Sequence, residues 1–505
     1  MENKRSTRNT SNYNKNFNKN TNLYNNISTN FSNTNSNNTN LNILSNNNRF
    51  NIHLDSPYNS INNINNDLSA DSNNSDYNND YNSQNNSPSS HSSNSSNNNQ
   101  KDYNIPIISI NNNNISNNSV ETFDDENNFI IAEIEVSSNN EKSRIINSFE
   151  EYKRTHSYLG HKEDDYKHNN EKDIKENCEI TINNQKIPFS YFCRFKEKGK
   201  YIIKYTFKKN LSKVNNLFNE CKTFIKIDLS HFNSSNIIDT SDIFSECINV
   251  KEINLTNFKT QNITDMSYMF FMCESLTKID LSNFNTKKAI NISRLFDACR
   301  SLTNIDLSNF DTRNAIDMSY MFHYCTSLKS IDLSHLDTRN VTNMKGMFKY
   351  CSSITNINLS NLNTQNVTDM SEMFENSESI KTLDLSSFNT QNVTDMSNMF
   401  NQCFSLENIN VSSFNTENVK NMECMFCWCK FSTLNLSNFN TQNVTDMSYM
   451  FSNCQFLKEL DISNFDIHKV KNLKFMFHFD LKKKYIRINK SNKKLIEFIN
   501  KELYD

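Results

Sequence analysis

One short motif returns at a fixed interval along this 505-residue chain, and that interval limits the folds open to it. The motif is Leu-Ser-Asn-Phe with small variations, and it recurs every 26 residues apart from one step of 25. A repeat of this length predicts a solenoid, because one short unit cannot bury its apolar face until neighbouring copies stack on it. Ten copies carry the anchor residue, at Phe232, Phe258, Phe284, Phe310, Leu336, Leu362, Phe388, Phe414, Phe439 and Phe465.

The first half of each copy has the spacing of a short β-strand. Ile279 and Leu281 are two residues apart, so both side chains point to one face, while Asp280 points to the other. Asn and Thr residues at 283–286 then predict a turn, since Asn tolerates the left-handed backbone region that glycine usually supplies. Only three glycines occur in the whole chain.

The second half of each copy has the spacing of a helix. Its apolar residues stand at i, i+3, i+4 and i+7, as in Met266, Met269, Phe270 and Cys273. Thr264 is placed to cap the N-terminus of this helix, with Asp265 in the first turn, where the helix dipole favours an acid. Each copy is therefore predicted to be one strand, one turn and one helix.

Stacking such units predicts an α/β solenoid, a leucine-rich-repeat-like horseshoe. Its strands would form a continuous parallel sheet with about 4.8 Å between strands, whereas packed helices prefer about 8–10 Å. The helical side is then the wider one, so the sheet should lie on the concave side of the horseshoe.

Composition divides the chain into five regions. Residues 1–120 are rich in Asn and Ser and are predicted to be disordered, because they cannot bury enough apolar surface to offset chain entropy. Residues 121–177 are predicted to be a charged linker, and residues 178–210 a small β unit that caps the repeats. The ten-copy solenoid fills 211–480. Residues 481–505 form a basic cap ending in an amphipathic helix, with Ser491 as its N-cap.

Several classes of function lack support in the sequence. With three glycines the chain has no clustered glycines to cradle a phosphate, and we expect no cofactor. The net charge of -3 does not favour nucleic acid as a partner. No run of eighteen apolar residues predicts a membrane span, and the polar residues 1–10 do not form a recognisable secretory signal.

The repeat resembles a known family. Its fullest form, the string LNLSNFNTQNVTDMSYMFSNC at Leu434–Cys454, is similar to the 26-residue repeats of BspA-like leucine-rich-repeat surface proteins. The resemblance covers about 270 residues and ten copies. It implies a leucine-rich-repeat-like fold and an adhesive or interaction role, and it brings no catalytic residues.

One repeat position is occupied by cysteine in nine copies. The spacing places one small apolar side chain in each repeat, that is, on each rung of the solenoid. This arrangement favours buried free thiols over metal ligands or disulfides. Free thiols favour a reducing compartment, so we expect a cytoplasmic protein, with the cell surface as the alternative. The column comprises Cys221, Cys247, Cys273, Cys299, Cys325, Cys351, Cys403, Cys429 and Cys454, with Ser377 in the remaining copy.

Cys424, Cys427 and Trp428 depart from the repeat. In a helix Cys424 and Cys427 would lie off the buried stripe, and Trp428 is the only tryptophan in the chain. Three interpretations stay open: a metal or redox pair, a contact patch for a partner, and simple drift within a repeat. No second Cys or His pair stands at a spacing that would complete a zinc site, so no metal site is predicted.

The outward strand position carries Asp or Asn in every copy. We interpret it as a solvated face for a partner rather than a calcium site; its acidic members are Asp228, Asp280, Asp306, Asp332, Asp384 and Asp461. Recurring Thr and Asn residues near the turns are predicted to satisfy turn backbone.

Together these features favour a monomeric, non-enzymatic scaffold that binds an unidentified protein. The alternative is an adhesin-like surface protein exported without a recognisable signal. An enzyme is the third hypothesis; it would have to use residues 121–206, which are too short and charged for a convincing site.

Overall fold

The computed structural model describes residues 105–109, 128–156, 167–478 and 482–503. The predicted disorder of 1–120 therefore lies outside the described residues, except at 105–109, where a two-residue strand forms. In chain order the strands are β1 (Ile107–Ile108), β2 (Phe129–Val136), β3 (Glu141–Arg144), β4 (Cys178–Ile182), β5 (Gln185–Ile187), β6 (Phe192–Phe195), β7 (Gly199–Phe207), β8 (Phe224–Asp228), β9 (Glu252–Asn254), β10 (Ser330–Asp332), β11 (Asn356–Asn358), β12 (Thr382–Asp384), β13 (Asn408–Asn410), β14 (Thr433–Asn435), β15 (Glu459–Asp461) and β16 (Ile486–Arg487). The helices are α1 (Phe149–Thr155), α2 (Glu171–Asn177) and α3 (Lys493–Glu502).

The N-terminal cap is larger than the predicted β unit at 178–210. Its main sheet has the strand order β5-β4-β7-β2-β8-β9, so the cap continues directly into the first two repeat strands. A second sheet has the order β1-β6-β3. β2 lies between β7 and β8 and is antiparallel to both, which makes it the strand that joins the cap to the solenoid.

The described part of 121–177 folds into this cap instead of forming a linker. β2 alternates apolar side chains over its length and buries Ile130, Ala132 and Ile134. The charged residues that suggested a linker are paired across α1 and α2: Arg154 lies 2.6 Å from Glu171, and its hydrogen bond lowers the pKa of Glu171 to about 2. Ion pairing within a cap, rather than solvation of a free chain, explains the local charge density.

The repeats form a β-solenoid, so the solenoid prediction is confirmed, but its helical half is wrong. Residues Met266–Cys273 form turns: Tyr268 and Met272 have left-handed φ values of 56° and 54°, which an α-helix excludes. Met269 N–H donates to Met266 O at 3.3 Å and Cys273 N–H to Phe270 O at 3.1 Å. These eight residues and their equivalents are called the double turn below.

The double turn reproduces the spacing of a helix without being one. An i→i+3 turn brings its first and fourth residues to the same side, so two successive turns bury positions one, four, five and eight. That is the same i, i+3, i+4, i+7 pattern that a helix gives. Thr264 therefore caps no helix; its hydroxyl donates to Ile238 O of the preceding rung, and Asp265 accepts from Ser267 N–H.

Hydrogen bonds join the rungs most regularly on the double-turn side. The N–H groups at positions one, three, five and seven donate to the next rung, as from Met266, Tyr268, Phe270 and Met272 to residues 25 positions later. Just before each double turn a single-residue parallel bridge forms, in an unbroken series of ten from Lys213 to Asn472.

The strand side is less continuous than predicted. Its parallel ladders are confined to β8–β9, β10–β11, β12–β13 and β14–β15–β16. The predicted horseshoe depended on a wide layer of helices opposite a narrow sheet. The double turns are hydrogen-bonded directly from rung to rung, so they do not form a layer wider than the strands. The physical reason for the predicted horseshoe curvature is therefore absent.

Identical side chains stack in columns through the core. Phenylalanine at position five of the double turn stacks from Phe218 to Phe477, with 5.5–6.2 Å between successive ring centroids. Threonine at the corner after each strand bonds to the next rung, as from Thr364 Oγ1 to Asn389 O at 2.9 Å. Asparagine two residues later donates to the preceding rung, as from Asn366 to Arg339 O at 2.7 Å. The Thr and Asn columns therefore satisfy turn backbone, as predicted, and do so between rungs.

All 13 cysteines are free and buried, which confirms the buried-thiol prediction. Their column does more than fill space. From Cys247 onward, each thiol of the column donates to the carbonyl of the stacked phenylalanine in the preceding rung, as from Cys351 to Phe322 O at 3.0 Å. Ser377 donates to Phe348 O at 2.8 Å in the same way. The position therefore requires a small side chain that donates a hydrogen bond, which explains why serine replaces cysteine there.

The C-terminal cap covers the last rungs. β16 pairs parallel with β15, and α3 buries Leu495 and Ile499. The helix is capped by Asn492, whose side chain accepts from Leu495 N–H at 3.1 Å, and not by Ser491 as predicted. Ser491 instead donates to Asn489 within the preceding turn.

Replacing Ser377 tests the donor column. Ser377→Ala removes the hydrogen bond to Phe348 O, so we expect the free energy of unfolding to fall by about 1 kcal/mol. Ser377→Cys supplies the donor that other rungs use and should change stability by less than half of that loss. Urea denaturation of both variants measures the difference; equal losses would show that the position needs no donor.

Candidate functional site

The outward strand positions are fixed by a turn that follows each strand. The Oδ1 atom of each Asp or Asn accepts from the backbone N–H two residues later, as from Ser308 to Asp306 at 2.9 Å and from Ser334 to Asp332 at 2.9 Å. Asparagine makes the same bond in other rungs, as from Ser437 N–H to Asn435 at 3.0 Å. The side chain at this position therefore caps its own corner and keeps its second oxygen or its amide group for other contacts.

The structure separates the six predicted aspartates into two groups. Asp280, Asp306, Asp332 and Asp384 are exposed. Asp228 and Asp461 are half-buried at the two ends of the solenoid. Asp228 accepts from Asn254 Nδ2 at 3.0 Å and lies in β8 beside β2; Asp461 lies 3.4 Å from Arg487 of the C-terminal cap. The caps thus cover the end members and leave the middle ones open.

Asp280, Asp306 and Asp332 occupy three consecutive rungs and form what we call the acidic row. Hydrogen bonds from the hydroxyl and N–H of the following serine lower the pKa of each of these carboxyl groups. The row is therefore fully charged at neutral pH. Asp280 and Asp306 lie between β9 and β10, where no strand ladder forms, and Asp332 is the last residue of β10. Equivalent corners carry all three, so the row presents three negative charges at intervals of one rung.

An open groove of about 550 Å³ lies further along the same face, across β12, β13 and β14. It coincides with the 25-residue step, where the strand ladder between β13 and β14 is interrupted. Amide and hydroxyl groups line it, with Asp384 as its only carboxylate; the polar side chains include Thr382, Asp384, Asn408, Asn410, Thr433 and Asn435. Asn438 spans the step by donating to Val411 O and Phe414 O, both at 3.1 Å.

Cys424 and Cys427 are buried, which corrects the expectation that both face outward. That expectation assumed a helix. In the double turn they hold positions three and six, which neighbouring rungs cover. Trp428 remains half-buried and packs edge-on against Phe404, with 6.1 Å between ring centroids. Phe404 is 42% exposed, so Trp428 and Phe404 are the part of the predicted contact patch that solvent reaches.

A network of charged and aromatic side chains on the double turns was missed by the sequence reasoning. Asp297 is almost fully buried and lies 2.7 Å from Arg294 and 2.8 Å from His323. The guanidinium carbon of Arg294 lies 4.1 Å from the ring centroid of Tyr320. Charged and aromatic residues do recur in the sequence at positions three and six of successive repeats. That recurrence indicates contacts between them only once the double turn is known.

These side chains bind one another. Tyr320 donates to Glu372 at 3.2 Å, and Glu372 is also 2.7 Å from Lys349. Within the described ranges, no three His, Cys, Asp or Glu side chains converge as metal ligands. None of the described helices is long and apolar enough to cross a membrane.

Stacked rungs, capped ends and an exposed polar strand face define a β-solenoid repeat protein. Sequence comparison then gives the family: residues 212–331, 317–430 and 405–493 match the family described as Mycoplasma protein of unknown function, DUF285. These overlapping matches cover more than half of the chain, so the chain belongs to this family. The finer resemblance to BspA-like surface proteins has no separate support from these matches.

Other comparisons are weaker. The chain is similar to the leucine-rich-repeat protein LIC12759 of Leptospira interrogans, at 12% identity and a TM-score of 0.20, over 58% of this chain and 93% of that one. It is also similar to the functional domain of InlJ from Listeria monocytogenes, described as including a cysteine ladder, at 14% identity and a TM-score of 0.12, over 49% and 69% of the two chains. At TM-scores this low, neither similarity supports a conclusion about the fold or the function of this chain. The curated proteins yield no significant match.

Gly346 tests the packing of the double-turn network. It holds position three with a φ of +58°, and a Cβ atom there would lie 2.3 Å from Cε1 of Tyr320. Gly346→Ala should therefore lower the free energy of unfolding by about 1–3 kcal/mol through overpacking. In a Tyr320→Ala background the same change should cost only the left-handed backbone penalty, about 1 kcal/mol. Additive losses in the double variant would contradict the contact.

The acidic row predicts a specific pH dependence. Its carboxyl pKa values are lowered on folding, so their stabilisation is complete above the unfolded pKa of about 3.9 and is lost as pH falls through the folded values. We therefore expect the melting temperature of the wild type to exceed that of D280N/D306N/D332N at pH 6, and the gap to narrow as the pH falls below about 3.9. Burial raises the pKa values of other acids, such as Asp265 and Asp369. The wild type and the triple variant share these acids, so their effect on the difference in melting temperature cancels. A gap that widens on acidification would refute the assignment.

Proposed function

We propose that this chain is a non-enzymatic interaction scaffold that binds a basic segment of another protein along the acidic row. The observation that carries the proposal is the row itself: three exposed, ionised carboxylates held in register by capped corners on consecutive rungs. A rigid row lets a partner's Lys or Arg side chains pair with the carboxylates without ordering the scaffold first, which reduces the entropic cost of binding.

The surroundings of the row favour an extended basic partner. Two positions before Asp306 and Asp332 stand Asn304 and Ser330, both exposed and neutral, whereas the exposed Lys278 holds that position before Asp280. The groove that begins at Asp384 continues the same face with amide and hydroxyl groups. A partner segment running across the strands would therefore meet charge first and hydrogen-bonding groups further along.

Neutralising the row is a cleaner test than reversing its charge. Lysine would remove the corner cap as well as the charge, whereas asparagine already makes the same bond in other rungs. We expect D280N/D306N/D332N to keep the fold by circular dichroism. It should lose at least tenfold in affinity for an extended Lys/Arg peptide, measured by fluorescence anisotropy.

A matched control exists on another corner. Asp311, Asp337 and Asp466 also accept from the N–H two residues later and also have lowered carboxyl pKa values. Each of them lies beside a basic side chain, that of Arg313, Arg339 or His468. D311N/D337N/D466N makes the same chemical change away from the strand face and should bind the peptide like the wild type. Equal losses in the two triple variants would indicate general charge attraction and would reject a site on the row. A Gln-substituted peptide that binds as tightly would reject a basic partner.

We also infer a monomeric protein in a reducing, cytoplasmic location. The two caps cover the terminal rungs, which supports a closed monomer. All 13 cysteines are free, which supports a reducing compartment. Immunostaining of a tagged full-length chain in intact and permeabilised cells separates this location from the cell surface. Signal from intact cells would instead favour the adhesin-like alternative.

A further inference from the structure

The third and sixth residues of the double turn meet outside the core in rung after rung. The N–H of the sixth donates to the carbonyl of the third, as from Asp297 to Arg294 at 3.1 Å and from His323 to Tyr320 at 3.1 Å. Their side chains then touch in whichever way their chemistry allows. Arg294 and Asp297 form an ion pair at 2.7 Å, and Tyr320 and His323 are in ring contact at 5.2 Å.

Other rungs show the same pairing. Asn401 donates to Asn398 Oδ1 at 3.2 Å, and Phe475 and His478 have ring centroids 4.7 Å apart. The pairing is therefore a property of the backbone, which brings any two side chains at these positions together. We call these two positions the outer pair.

In one rung the outer pair consists of two cysteines. Cys427 N–H donates to Cys424 O at 3.1 Å, so one turn joins the two cysteines. The ends of a β-turn lie within about 7 Å of each other, and disulfides join Cα atoms about 4.4–6.8 Å apart. The turn thus holds two thiols at a separation that a disulfide can span.

We propose that Cys424 and Cys427 form a reversible disulfide, which makes this outer pair a redox-modification site. The other 11 cysteines hold other positions: nine form the ladder, and Cys178 and Cys193 lie in the N-terminal cap. From Cys247 onward the ladder thiols donate to a backbone carbonyl of the preceding rung, as from Cys403 to Phe374 O and from Cys429 to Phe400 O, both at 3.1 Å. The proposal uses a different face from the acidic row and does not depend on the proposed function.

The oxidant is a small disulfide such as glutathione disulfide. One cysteine thiolate attacks a sulfur of that disulfide, which breaks the S–S bond and leaves a mixed disulfide. The second thiolate then attacks the cysteine sulfur of the mixed disulfide. The Cys424–Cys427 bond forms and the second small thiol leaves. Two electrons pass from the cysteines to the oxidant, and the two protons from the cysteine thiols end on the two released thiols.

The surroundings make this reaction slow in the folded protein. The interaction with the Cys427 side chain and burial raise the pKa of the Cys424 thiol, and the two side chains are only 6% and 4% exposed. Thiolate is the reactive form, so exchange should take hours at neutral pH rather than seconds. Oxidation during refolding avoids that barrier, because the thiols are then accessible before the rung closes.

Trp428 provides a local signal for the reaction. It follows Cys427 directly and is the only tryptophan in the chain. Disulfides quench the fluorescence of a nearby tryptophan, so formation of the bond should lower the tryptophan emission of the whole protein. Reduction with excess dithiothreitol should restore it.

The experiment uses the full chain, either folded or refolded from urea, in glutathione disulfide. Thiols are then alkylated in urea and counted by mass spectrometry. We expect two of the 13 thiols to be protected, with one cross-linked peptide joining Cys424 and Cys427. C424S/C427S should show no protected pair and no change in fluorescence.

A matched control replaces two ladder thiols of adjacent rungs. C325S/C351S keeps a hydrogen-bond donor at each position, as Ser377 does, and should still protect two thiols. Thirteen free thiols after refolding in the oxidant would overturn the proposal. So would a cross-link between any other pair, such as Cys427 and Cys429, formed in place of the proposed one.

Discussion

The rung-to-rung hydrogen bonds of the double turns hold this fold together. Alternate N–H groups along each double turn point to the next rung, and they do so at every step from Val214 to Asn453. This alternation requires a left-handed residue at positions three and seven. The chain has almost no glycine, so it places Tyr, Arg, Glu, Asn and Cys there at a cost of roughly 1–2 kcal/mol each. The regular bonds to the next rung offset that cost, which explains how so strained a turn can repeat.

Because the double turns carry the stacking, the strand side is free to vary. The parallel ladder is absent between β9 and β10, between β11 and β12, and between β13 and β14, yet the bridges continue past all three places. The 25-residue step shows the same division. Its missing residue falls between Cys429 and Phe431, after the double turn, and Met422 N–H still reaches Asp446 O at 2.9 Å. The shortening interrupts the strands and leaves the double-turn ladder intact.

The sequence predicted the solenoid, the period and the core columns because each depends on which side chains are apolar and how often they recur. It could not separate helix from double turn, since Met266, Met269, Phe270 and Cys273 are buried in either case. The φ angles of Tyr268 and Met272 distinguish the double turn from a helix. Neither tyrosine nor methionine is a residue type that predicts a left-handed conformation. The same ambiguity misplaced Cys424 and Cys427, whose exposure was read from a helical wheel. At the N-terminus, charge density suggested a linker because ion pairs such as Arg154–Glu171 join residues from two separate helices.

The two polar faces of a rung differ in what their acids can do. On the strand face, a carboxylate at a corner accepts from the backbone and remains in water, so its pKa falls and its charge is available to a partner. On the double-turn face, stacked neighbours remove water. Burial raises the pKa of Asp242 to about 8. Asp297 is paired with Arg294 and His323. A carboxylate on this second face is thus neutralised or paired within the protein. A carboxylate on the strand face can therefore bind a partner, whereas one on the double-turn face only stabilises the stacked rungs. For this reason the acidic row, and not the double-turn network with its larger number of charged side chains, is the surface suited to a basic partner.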